Sequence, residues 1–180
     1  MDTDLLPFSP AHAAVVAGWP RSAAEVLMWC GERAFPLPAR RVAEWQREEG
    51  VRGRVLVVDG APAGYGELWF DDGENSEEGA EEGTGEGEVE LARIIVAPAA
   101  RGRGLGRALV RGLLAEALDA GRPDVFLRVH PDNAAALRCY RGAGFVPVAA
   151  EWAAEWNAAQ PVAYTWLRRP RPHDHGPHTA

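Results

Sequence analysis

Seven consecutive residues, Arg101 to Arg107, hold three glycines and three arginines. They follow the apolar run ARIIVAP and precede a stretch whose apolar residues recur at helical spacing. The chain around this segment must therefore be strand, turn, helix in that order. Glycine permits positive φ and close approach of another molecule to the backbone. A helix start presents unpaired N–H groups and the positive end of the helix dipole. Such a turn suits an anion, and the arginines add charge of the right sign.

The rest of the chain supplies partners for that unit. Asp4 to Phe8 reads as a short strand. Ser9 with Pro10 opens a helix, and Ser22 with Glu25 three residues on opens a second that Gly31 ends. Pro38 to Gly50 is a third helical stretch, with Val42 and Trp45 on one face. Val51 to Val58 and Ala63 to Phe70 are β-rich runs joined by Asp59-Gly60, a strong hairpin signal. Val89 to Ala97 is a strand. Leu105 to Ala120 is a helix with Leu105, Leu109, Leu113 and Ala117 in one row, joined by Ala108, Leu114 and Leu118. DVFLRVH is a strand. PDNAAALRCYRGAGF is a helix capped by Asp132 or Asn133 and ended by Gly144. FVPVAAEW and VAYTWLR read as two closing strands. A hairpin feeding strand–helix–strand units predicts an α+β fold of three layers, α/β/α: a mixed, mostly antiparallel sheet with helices on both faces.

Residues 1–170 read as one domain, a size that can bury a substantial core. Residues 71–88 are almost wholly acids, glycine and small polar residues, a composition that predicts a disordered insertion within the hairpin. Residues 171–180, rich in Pro and His, read as a disordered tail. The net charge of -7 argues against nucleic-acid binding. Two distant cysteines exclude a disulfide framework and favour a reducing compartment. Neither a leader pattern nor an apolar run of membrane-spanning length is present, so the expectation is a cytoplasmic protein, monomeric or homodimeric, with no membrane partner. No ligand spacing for a metal stands out.

Two common phosphate-binding motifs fail on spacing. A P-loop needs Lys-Ser or Lys-Thr, and the chain contains no lysine. A GxGxxG fingerprint begun at Gly102 and Gly104 needs glycine where Arg107 stands. A second constellation follows about thirty residues on: Asn133, Ala136, Tyr140, Gly144 and Phe145, in the pattern N-x2-A-x3-Y-x3-G-F. On a helix Asn133, Ala136 and Tyr140 share one face and could line a channel.

Together the two segments resemble the GCN5-related N-acetyltransferase (GNAT) superfamily. Arg101, Gly104 and Gly106 match its [RQ]-x-x-G-x-[GA] loop, and the Asn-to-Tyr-to-Gly-Phe segment matches its second motif. The resemblance covers about Val89 to Phe145. It implies an acetyl-CoA-dependent enzyme that acetylates a primary amine by direct attack in a ternary complex. Acetyl-CoA would lie where the RIIVA and DVFLRVH strands part. The backbone of Ile94, Ile95 and Val96 would pair with the pantetheine arm, and an N–H near Val96 would polarise the thioester carbonyl. The amides of Arg101, Gly102, Arg103, Gly104, Leu105, Gly106 and Arg107 would hold the pyrophosphate, with the Arg101 and Arg103 side chains as charge complements. Asn133 would bind the pantetheine or a water. Tyr140 would protonate the departing thiolate, and Glu90 would be the base. Glu88, Glu67 and Glu155 are held in reserve. Cys139 is expected on another helix face, and a covalent route through it lacks a histidine partner.

Acceptor contacts are expected from Trp19, Glu25, Trp29, Trp45, Trp152, Glu155 and Trp156, which would suit a cationic small-molecule amine. A non-catalytic acetyl-CoA-binding sensor or scaffold is the alternative, and an acidic-loop interaction protein is a further one.

Overall fold

Asp59 and Gly60 both adopt positive φ, 49° and 81°, in the tight turn their residue types favour. They join strands at Val51–Val58 and Ala61–Asp71. The computed structural model describes residues 2–71 and 87–170, so the expectations for 72–86 and 171–180 lie outside the described residues. In chain order the elements are β1 (Thr3–Pro7), α1 (Ala13–Ala17), α2 (Ala23–Cys30), α3 (Ala39–Trp45), β2 (Val51–Val58), β3 (Ala61–Asp71), β4 (Glu88–Val96), α4 (Leu105–Asp119), β5 (Val125–Val129), α5 (Ala134–Gly142), β6 (Val146–Pro147), α6 (Ala150–Asn157) and β7 (Thr165–Arg168). A 3-10 turn, Pro10–His12, leads into α1.

The strands form one sheet of seven in the order β1-β2-β3-β4-β5-β7-β6. Only β4 and β5 run parallel; the other five pairs are antiparallel. This is the mixed, mostly antiparallel sheet of the expected α+β fold. One face carries α4, where Leu105, Leu109, Val110, Leu113 and Ala117 pack with Val89, Leu91, Val125 and Leu127. Each such leucine contributes about 1.5–3 kcal/mol on burial. Val110 joins the expected row, whereas Ala108 is exposed. The opposite face carries the N-terminal helices through Val16, Val26, Val42 and Trp45. Ser22 caps α2 through the Glu25 amide at 3.2 Å, and Gly31 ends it at φ 74°.

Two features depart from the sequence reading. FVPVAAEW is not one strand: β6 is two residues long, and Ala150–Asn157 forms α6. Trp152 and Trp156 stand one turn apart, and Trp156 packs edge-on against Phe126 and Trp166. The second departure is a β-bulge in β4. The register with β3 slips between Tyr65↔Ile95 and Glu67↔Ala92, and Arg93 takes φ 45°. Strict alternation would put Ile95 on the face of Val89 and Leu91. The extra residue turns it to the opposite core instead.

Candidate active site

The two parallel strands pair only at Val89↔Val125 and Glu90↔Phe126. Beyond those rungs β4 and β5 part, and a cavity of about 680 Å³ opens in the gap. Its walls include Ile94, Ile95 and Val96 from β4, Val129 and His130 at the end of β5, the turn before α4, and Asn133, Ala136 and Tyr140. Of the residues predicted for the cofactor, all but Arg103 line it.

The turn is built by its glycines. Gly102 and Gly104 sit at φ 77° and 80°, in the left-handed region, with open space where a side chain would project. Backbone conformation, not crowding, requires glycine there. Gly104 caps α4 without a side-chain hydrogen bond, and the Arg107 N–H donates to the Gly104 carbonyl at 3.1 Å, which leaves the Leu105 and Gly106 amides as the open donors of the first turn. At Gly106 space decides: a Cβ would stand 3.1 Å from the Cys139 sulfur. Cys139 therefore faces this cavity, not the separate helix face expected of it. Burial pushes its thiol above the usual range, which leaves it a poor nucleophile.

Val96 presents its backbone to the gap. The Ala97 N–H donates to the Ala63 carbonyl of β3 at 2.9 Å. Antiparallel alternation then turns the Val96 N–H and C=O away from β3, while Ile95 is opposite Tyr65 with its peptide groups directed at β3. Consistently, the Val96 carbonyl accepts from Arg101 Nε at 3.1 Å. The Arg101 guanidinium also grips both oxygens of Glu25 on α2, at 3.2 and 3.1 Å. The side chain expected to complement phosphate thus clasps α2 to the turn. That hydrogen bond holds the Glu25 carboxyl down at about 2 against an ordinary 4.5. A carboxylate with a lowered folded value stabilises the native state above its unfolded value and loses that contribution as pH falls through the folded one. Carboxyl NMR titration should therefore give Glu25 a midpoint of about 2, and a midpoint near the ordinary value would show the clasp absent in solution.

Asn133 caps α5, accepting from the Ala136 amide at 3.1 Å while lining the cavity. Tyr140 is buried, at 7% exposure, and its hydroxyl has no hydrogen-bond partner among the described residues. Burial pushes its phenol up, so it stays protonated through the neutral range.

A smaller cavity of about 110 Å³ adjoins the first. Ile94, Arg128 and Tyr140 border both, so the two meet there. Glu90 lines the smaller one, ion-paired to Arg128 Nε at 3.1 Å and pushed up by burial. Glu88 is exposed near Asp71 and Asp124, and Glu155 is exposed on α6. Glu67 is wholly buried. It accepts from Tyr65, from Trp69 Nε1 at 2.6 Å and from Arg93 at 3.0 Å.

Of the residues expected to contact the acceptor, Glu25 and Trp29 line the larger cavity. Trp19 and Trp45 belong to the core, Trp152 is half exposed and stacks on Trp156, and Trp29 donates to the Arg93 carbonyl at 2.7 Å. Arginines occupy the ring faces: Arg93 lies over Trp45 and Trp69, and Arg128 over Trp69, Tyr164 and Trp166. Arg93, Arg128 and Tyr164 escaped the sequence reading. A lone arginine inside each apolar strand, Arg93 in ARIIVA and Arg128 in VFLRVH, was the available signal.

The sheet is parted between its two parallel strands, and a glycine turn and a helix start stand at the opening. The chain belongs to the acetyltransferase (GNAT) family, whose model matches residues 21–145. Over 59 residues it is 49% identical to N-alpha-acetyltransferase RimI of Mycobacterium tuberculosis (strain ATCC 25618 / H37Rv), covering 32% of this chain and 35% of that protein. It spans 15% and 35% of the length of the curated relatives it matches. Among solved structures, AAC(6')-Ib in complex with ribostamycin and coenzyme A superposes with TM-score 0.71 at 22% identity, over 95% of this chain and 94% of that one. The protein yncA from Salmonella typhimurium, solved with its cofactor acetyl-CoA, gives 0.58 at 24%, over 83% and 82%. At these identities the likeness establishes the fold. No helix among the described residues is long and apolar enough to cross a membrane.

Proposed function

We propose that the protein is an N-acetyltransferase that moves the acetyl group of acetyl-CoA directly to the primary amine of a small molecule. The observation carrying this reading is the meeting of two cavities at Tyr140: a long one ending on the α4 turn and a short one holding Glu90. The donor set of the long cavity fits the cofactor. First-turn amides and the helix dipole suit a diphosphate, and the outward Val96 backbone suits an extended amide-bearing arm. Acetyl-CoA supplies the thioester. In this reading Gly102 to Arg107 hold the diphosphate by backbone, the Val96 N–H donates to the thioester carbonyl, Glu90 takes the amine proton, and Tyr140 protonates the departing thiolate. We place this activity in the cytoplasm and assign it to residues 1–170 as one domain.

Release of free thiol from acetyl-CoA, screened across amines and peptides, tests the reading. Small amines should turn over. Tight acetyl-CoA binding without turnover would favour a non-catalytic sensor or scaffold. Preference for peptide N-termini would favour a protein acceptor, the reading to which the RimI segment lends support. A base must be deprotonated to act, and burial raises the Glu90 value. The acidic limb of kcat/KM should thus lie above 4.5, with activity rising as pH increases through it, and Glu90→Gln should remove that limb. A limb unchanged in Glu90→Gln would assign the base elsewhere.

A further inference from the structure

The smaller cavity sets a buried, unmet acceptor beside a partly exposed guanidinium edge. Glu90 Oε1 is buried and makes no hydrogen bond, although Arg128 Nε stands 3.1 Å away as an ion pair. Arg128 Nη1 donates to Gln160 at 3.2 Å, while Nη2 has no hydrogen-bond partner among the described residues. The other guanidinium on the lining, Arg93, is engaged by Glu67 at 3.0 Å and Glu48 at 3.5 Å. Arg128 cannot swing away easily: its plane lies against Trp69, Tyr164 and Trp166 at 5.7, 5.4 and 5.5 Å. A buried acceptor such as Glu90 Oε1 is nearly always satisfied, and the open edge of the Arg128 guanidinium beside it suits a carboxylate, so the pair fits a ligand with both a cationic donor and an anionic acceptor. The volume of about 110 Å³ admits a small head group. A polycation would meet Arg128 with like charge, and a peptide N-terminus would offer it a neutral amide.

Building on the acetyl-transfer reading, we propose that the acceptor is a zwitterion of the amino-acid type, a primary amine with a carboxylate on the same or the next carbon. The amine sits on Glu90, and the carboxylate sits on the Arg128 guanidinium. The ammonium gives one proton to Glu90, and the resulting neutral amine attacks the acetyl carbon. The N–C bond forms and the C–S bond breaks, the thiolate takes the Tyr140 proton, and the second amine proton restores Tyr140.

The experiment measures thiol release from acetyl-CoA with free amino acids, their decarboxylated amines and their amides. A site built to hydrogen-bond a group rejects analogues lacking it, so kcat/KM for the best amino acid should exceed that of its amine by about 10²-fold or more. Arg128→Gln should bring the ratio near one through KM, and Arg128→Lys should keep part of it. If Arg128→Gln does not fold, the acid-to-amine ratio of the unaltered protein decides. Equal or better use of the amine or amide would overturn the proposal while leaving acetyl transfer standing. No thiol release with any acceptor, from protein that binds acetyl-CoA, would overturn both.

Discussion

Tyr140→Phe is expected to slow acetyl transfer by about 10²–10⁴-fold, the range for a lost general acid, with acetyl-CoA affinity and unfolding temperature nearly unchanged. The second half of that expectation follows from the structure. The phenol ring is part of the core beside α4, and phenylalanine keeps it. The hydroxyl has no partner among the described residues, so its removal leaves nothing unsatisfied. Steady-state thiol release and acetyl-CoA titration of the same sample separate the two effects. A rate within about threefold of the unaltered protein would remove Tyr140 from the chemistry; a protein that no longer binds acetyl-CoA would make it structural.

Glu67→Ala is expected to lower stability by about 3–5 kcal/mol, the usual result of removing one member of a buried ion pair. Glu67 has no exposed surface and the Arg93 side chain retains 13%, so exposed-pair energetics do not apply. The alanine leaves a guanidinium clamped between Trp45 and Trp69 with the more exposed Glu48, at 3.5 Å, as its remaining ion-pair partner. It also strips partners from Tyr65 and Trp69 Nε1. Arg93 is the residue at φ 45° that makes the β4 bulge, a conformation costing a non-glycine residue about 1–2 kcal/mol. With its anchor gone, the bulge should relax and Val96 should lose its orientation, so activity falls with stability. Denaturant unfolding measures the first, and thiol release the second. A loss below about 1 kcal/mol would mean that the bulge does not depend on this pair.

Much of the fold was legible because local chemistry and global placement agree. Asp59-Gly60 turns where only positive-φ residues turn easily, Ser22 and Gly31 bound α2, and the leucine row of α4 meets the sheet along the face its spacing defines. The glycine turn was legible for the same reason, although the functions of its glycines differ: conformation at Gly102 and Gly104, space at Gly106. The final helix was not legible. Ala150 to Asn157 has no cap signal, and the run from Phe145 alternates weakly enough to pass for a strand until Trp156 finds Phe126 and Trp166.

The sequence by itself determined the strand–turn–helix unit, the hairpin and the order of most elements. Each of these depends on backbone preference or on a period of a few residues, and such information is local. The tertiary structure alone decided the bulge that reverses Ile95, the union of Glu67 with Arg93, the pairing of Glu90 with Arg128, and the capture of Arg101 by Glu25. These are charges brought together across 26, 38 and 76 positions of chain. Their energies depend on burial and on a counter-charge at about 3 Å, quantities that exist only after the sheet has assembled.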